Sequence, residues 1–133
     1  MPSRTASCSC GQLRLTSQGE PVRISICHCL ECQKRTGSVF AGQARFPRAA
    51  VTVTGNSATW SRTGESGSTA TFHFCATCSA IVYWDMDAFP DFVAVPVGAF
   101  ADPAFPPPTV AVYEGRQHPW TSAIGELPME RWD

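Results

Sequence analysis

Seven cysteines stand in three tight groups, Cys8-Ser-Cys10, Cys27-His-Cys29-Leu-Glu-Cys32 and Cys75-Ala-Thr-Cys78, and none lies outside them. An odd number cannot all be joined in intramolecular disulfides, and the Met-Pro-Ser-Arg start has no apolar export segment. A reducing, cytoplasmic setting is therefore expected, in which close cysteine pairs serve metal binding or catalysis. Structural zinc takes four thiolates at about 2.3 Å in a tetrahedron, usually as two close pairs from distant parts of a chain. A Cys-x-x-Cys turn presents both sulfurs to one ion, and in an extended Cys-x-Cys the side chains at i and i+2 share a face. Cys8 and Cys10 with Cys75 and Cys78 thus make a four-sulfur site that ties the first strand to the middle of the chain.

The remaining group places three thiolates within six residues, which leaves one position of a second zinc open to water or substrate. Competing readings exist for it. The three cysteines can be a redox cluster beside a single zinc, or a histidine (His28, His73 or His118) can close the site and make it structural. His28 falls on the opposite side of an extended Cys-x-Cys and His73 neighbours Cys75, so a hydrogen-bonding role fits each better than ligation. Inert burial explains one or two cysteines, not three spaced groups.

At 133 residues and 14.4 kDa the chain is expected to form one domain over its whole length, large enough for a core of its own. Net charge is −1, which disfavours nucleic acid as a partner, and no apolar stretch approaches the length of a membrane span. Charge is uneven: residues 1–66 carry eight basic and three acidic groups, residues 67–133 two and eight. The two halves can attract each other within one fold, or the excess can form a local basic pocket for a small anion around Lys34 and Arg35.

Polar–apolar alternation predicts strands at Gln12–Ser17 and Val22–Ile26, and turn punctuation with β-branched and aromatic content predicts them at Val39–Phe46, Val51–Thr54, Ala58–Arg62, Thr69–Phe74, Ile81–Trp84, Phe92–Val97 and Val110–Tyr113. Leu30–Thr36 predicts a helical turn closed by Gly37, and the four prolines of Asp102–Pro108 predict irregular chain. No helical period persists for three turns. The expected class is all-β with short helical turns.

These groups, in this order, resemble the glutathione-dependent formaldehyde-activating enzyme and centromere protein V family. The resemblance is carried by Cys8-Ser-Cys10-Gly11, by Cys27-His28-Cys29-Leu-Glu-Cys32-Gln33-Lys34-Arg35-Thr36-Gly37-Ser38 and by Phe74-Cys75-Ala-Thr-Cys78. Val97-Gly98-Ala-Phe-Ala-Asp102-Pro103 and Pro119-Trp120 extend it from about Ser7 to the C-terminus. It implies a β-tent of several short antiparallel sheets clamped by zinc. It also implies that Cys8, Cys10, Cys75 and Cys78 hold a structural zinc and Cys27, Cys29 and Cys32 a catalytic one, two ions per chain. The sequence departs from the family at Ser79, where members commonly have a Gly free to take positive φ, and in Thr109–Tyr113, which lacks a His that many relatives carry.

By the same resemblance the partners are a small thiol such as glutathione and an aldehyde, joined as S-hydroxymethylglutathione in the formaldehyde case, the reverse of a carbon–sulfur lyase step. A free thiol with pKa about 8.5 is only some 3% thiolate at pH 7, and coordination to zinc deprotonates it outright. Lys34 and Arg35 are the expected anchors for substrate carboxylates, and His28 or water the expected proton donor. The alternative is a non-catalytic zinc-stabilised binding module, which would call for a basic surface that this chain's net charge does not favour.

Overall fold

Short strands with one apolar face each dominate the chain, and they sort into two sheets. The computed structural model describes residues 2–133. In chain order the elements are β1 (Ser3–Ser7), β2 (Arg14–Gln18), β3 (Arg23–Cys27), α1 (Leu30–Thr36), β4 (Ala41–Pro47), β5 (Val51–Thr54), β6 (Ala58–Thr63), β7 (Thr69–Phe74), β8 (Ile81–Met86), β9 (Phe92–Pro96) and β10 (Val110–Val112). Four 3-10 turns, among them Val97–Phe100 and Thr121–Glu126, supply the remaining regular structure. The all-β reading holds. α1 and its Gly37 cap fall where the sequence places them, with Gly37 at φ 72° and its N–H donating to Gln33 O at 2.8 Å. β1 escapes sequence reading because only Ala6 of its five residues is buried.

The small sheet runs β1-β2-β5 and is antiparallel throughout. The large sheet runs β10-β3-β4-β9-β8-β7-β6. All of its ladders are antiparallel except β10 on β3, which is parallel because the chain returns over the irregular proline segment rather than through a hairpin. Sheets thus number two.

Alternation along the strands decides what each face of the large sheet does. Ala44 and Phe46 of β4 and Val93 and Val95 of β9 turn to one side, where they meet Ala6 and Leu15 from the small sheet, Leu13 from the turn before β2 and Phe100 from the 3-10 turn. Leu13, Leu15, Phe46 and Val95 are wholly buried there. The residues between them turn to the other side: Ser25 opposite Gln43, Arg23 opposite Arg45, and Trp84 opposite Ala94. That second face is the floor of a cleft, and α1 enters directly from the end of β3 to line it. No helix among the described residues is long and apolar enough to cross a membrane.

Candidate functional site

The fold gathers the seven sulfurs into two groups, Cys8/Cys10/Cys75/Cys78 and Cys27/Cys29/Cys32, each with its Sγ atoms within 4.8 Å of one another. Among the described residues no histidine or carboxylate joins either group. A tetrahedron with arms of about 2.3 Å has edges of about 3.8 Å. The Cys8–Cys10 and Cys10–Cys75 sulfurs are each 3.7 Å apart, the spacing such an ion requires. The donor chemistry and the geometry therefore fit zinc.

The four-sulfur group joins the β1–β2 turn to the turn that follows β7. Its backbone is wound so that N–H groups face sulfur. Leu13 N–H donates to Cys8 Sγ at 3.3 Å, Thr77 N–H to Cys75 Sγ at 3.4 Å and Cys78 N–H to Cys75 Sγ at 3.5 Å. Gln12 does more: its Nε2 donates to Cys75 Sγ at 3.0 Å and to Asn56 O at 2.7 Å, while its Oε1 accepts from Asn56 N–H at 3.0 Å. One side chain thus pins the β5–β6 turn to the cluster. The Gln12 amide, then the Cys78 and Thr77 N–H groups, hold the Cys75 thiol down to about 6. Gly55 in that turn sits at φ 95°, and a Cβ there would come 1.9 Å from Gln12 O. Ser79 takes φ 70° and donates its N–H to Cys75 O at 2.7 Å, so the turn keeps the left-handed conformation that glycine would adopt without steric cost.

The three-sulfur group is built differently. Cys27 ends β3, Cys29 is the N-cap of α1, and Cys32 is in the first turn of that helix, donating its N–H to Cys29 Sγ at 3.3 Å. Cys27 and Cys32 are buried and Cys29 half-buried. Cys27 donates to Cys32, and with help from Cys29 and the Arg35 guanidinium this holds Cys32 down to about 5, while sharing that proton and burial pushes Cys27 up. All three sulfurs border a cleft of about 510 Å³, whereas the four-sulfur group does not.

Arg35 lies over the rings of Phe72 and Trp84, 4.7 and 4.6 Å from their centroids, and donates to Cys32 Sγ at 3.7 Å. It braces the metal group against the sheet while still lining the cleft. Lys34 is exposed on the cleft wall. Arg45, Arg62 and Arg116 join them, against Glu31 and Glu65, so the cleft concentrates positive charge on a chain of net −1. These three arginines come from β4, β6 and the segment after β10, and no local motif marks them.

His28 is buried, tilted against Phe40 at 6.1 Å, with Nδ1 unpartnered, and it is not among the residues lining the cleft. His73 stacks on Tyr83 at 4.2 Å and pairs with Asp85 at 2.7 Å. His118 bonds Gln33 Oε1 at 2.9 Å, and Gln33 Nε2 donates to His28 O at 3.0 Å and Arg116 O at 3.2 Å. Gln33 so stitches α1 to the C-terminal segment. Sequence reading assigns no role to Gln12 or Gln33; the available signal is that each lies within two residues after a cysteine group, at Cys10-Gly-Gln12 and Cys32-Gln33.

The sequence pattern of the glutathione-dependent formaldehyde-activating enzyme family matches residues 3–116. The chain belongs to that family. The match stops before Pro119-Trp120, so this late pair adds nothing to the assignment. Among solved structures, the crystal structure of a Rhodobacter sphaeroides protein is similar, with a TM-score of 0.56 and 21% identity over 71% of this chain and 85% of that one. At that identity the likeness is one of fold. No curated protein sequence matches the chain. Family membership and the two cysteine groups together make it a zinc-binding type of protein.

Proposed function

We propose that the chain is a zinc-dependent enzyme of the carbon–sulfur lyase type, which joins a small thiol such as glutathione to an aldehyde and, in reverse, splits the adduct into the two. The observation that carries this reading is the contrast between the two cysteine groups: four sulfurs away from the cleft, three at the wall of a cation-lined cleft. Cys8, Cys10, Cys75 and Cys78 would hold a structural ion, and Cys27, Cys29 and Cys32 a second one with a position left for the substrate. An ion held by those three cysteines would supply a thiolate at neutral pH from a thiol that is otherwise mostly protonated.

The chain's own residues do the rest. Lys34 and Arg116 offer exposed positive charge to substrate carboxylates, and Arg35 offsets the negative charge of the thiolate cluster through Cys32. The sulfur adds to the carbonyl carbon, and the carbonyl π pair becomes an alkoxide that must take up one proton. His28 is buried and does not line the cleft, which favours water entering the open cleft over His28 as the donor. The reverse step returns the proton and the carbon–sulfur electron pair to give thiol and aldehyde.

The test is cobalt-substituted protein titrated with glutathione and with S-methylglutathione. Glutathione adds a fourth sulfur-to-metal charge-transfer contribution at the Cys27/Cys29/Cys32 group, and the thioether does not. A spectrum unchanged by millimolar glutathione removes the thiol reading and leaves a zinc-stabilised binding module in its place.

A further inference from the structure

Arg23 and Arg45 stand directly opposite each other on β3 and β4, on the cleft face of the large sheet. Like charges opposed across a ladder destabilise a sheet, and folds usually answer them with a carboxylate. Here none answers. Among the described residues, neither guanidinium makes an ion pair or a side-chain hydrogen bond, and the buried Nε of Arg23 has no partner at all. Arg45 is held with its guanidinium 4.7 Å above the Phe89 ring, and burial followed by the Arg23 charge pushes it below the usual guanidinium range. Between the two arginines, Ser25, Gln43 and Trp84 lies a recess of about 20 Å³. That is room for one water or one or two oxygens of a bound group. Gln43, Arg45, Trp84 and Phe89 line both this recess and the larger cleft, so the two adjoin.

From these observations we infer that Arg23 and Arg45 form a carboxylate subsite in the cleft floor, taking the remote acid group of the molecule whose sulfur reaches Cys27, Cys29 and Cys32. Two planar guanidinium forks suit a planar carboxylate, which they bind through paired N–H donors. The spacing sets the size of the occupant. Cys27 and Arg23 lie on one face of β3 four residues apart, about 13 Å of strand. A ligand engaging both ends is extended, with its carboxylate several bonds from its sulfur, which a one-carbon aldehyde or a two-carbon thiol is not. The pair costs stability in the empty protein, and a bound carboxylate neutralises it. This inference rests on the thiol–aldehyde reading for the sulfur end of the ligand, but the recess itself does not.

The experiment uses the zinc-loaded full chain and the variants Arg23→Gln and Arg45→Gln. Calorimetry at low ionic strength follows three probes: glutathione, 2-mercaptoethanol as a thiol without a carboxylate, and glutarate as a dicarboxylate without a thiol. Each variant should weaken glutathione and glutarate at least tenfold and leave 2-mercaptoethanol within twofold. The unliganded Arg23→Gln protein should melt no lower than the parent, since a repulsion is removed. Glutarate binding that is lost in both variants, while neither thiol binds the parent, upholds the subsite and overturns the thiol–aldehyde reading alone. The subsite is overturned by a parent that does not bind glutarate, by variants that bind all three probes as the parent does, or by equal loss of all three with a lower melting temperature.

Discussion

Replacing Gln12 by Met should measure what the hydrogen bonds around the four-sulfur group contribute, because it removes them without touching a ligand. Methionine keeps the length of the side chain and loses all three of its polar contacts: Cys75 Sγ at 3.0 Å, Asn56 O at 2.7 Å and Asn56 N at 3.0 Å. The two bonds to Asn56 are solvent-accessible and contribute about 0.5 kcal/mol each, whereas the bond to a thiolate acceptor contributes about 1.5 kcal/mol. The expected loss is about 2.5 kcal/mol. At an unfolding entropy of about 2.1 cal/mol/K per residue, a chain of this length should then melt about 9 °C lower. Thermal melts of zinc-loaded protein measure this, and competition with a chromophoric chelator measures retention of the more tightly held ion, which should fall about tenfold or more. The three-sulfur group should lose its metal at the parental rate. A melting temperature within 3 °C of the parent, with unchanged zinc retention, would show that Gln12 is a surface residue and that the N–H···S contacts of this turn contribute little.

Three further outcomes are expected. Ser79→Gly should raise the melting temperature by about 2–4 °C, since relief of the left-handed strain at φ 70° exceeds the added freedom of the unfolded chain by about 0.5–1 kcal/mol; a fall would mean that the Ser79 hydroxyl contact to Cys78 O matters more than the backbone. Cys75→Ser should cost far more stability than Cys29→Ser, because a structural ion contributes on the order of 10 kcal/mol to a small zinc fold, and metal analysis should show one ion retained in Cys29→Ser; equal destabilisation would make both sites structural. In metal-free protein, alkylation of Cys32 should remain fast as pH falls until about pH 5, because its depressed pKa keeps the thiolate well below the free-thiol range, and Arg35→Met should move that midpoint upward; an unperturbed midpoint near 8.5 would remove the Cys27 and Arg35 contacts from the account.

What the sequence determined by itself was local. Thr69–Phe74 and Val51–Thr54 are legible because β-branched residues are bounded by turn formers, and Leu30–Thr36 because Gly37 closes it. The cysteine partition is legible for the same reason: metal-binding pairs must lie within a few residues of each other to share an ion, so spacing alone separates the groups. β1 was hidden because a strand with a single buried alanine has no pattern to read. The cleft could not be read at all. Arg45, Arg62 and Arg116 become neighbours only through the strand order and the return of β10, and Arg23 faces Arg45 only through the β3–β4 register. A one-residue slip of β3 against β4 would turn Arg23 into the core and leave Arg45 alone on the cleft face. The sequence states which atoms can hold zinc; the ladder register decides which charges stand beside it.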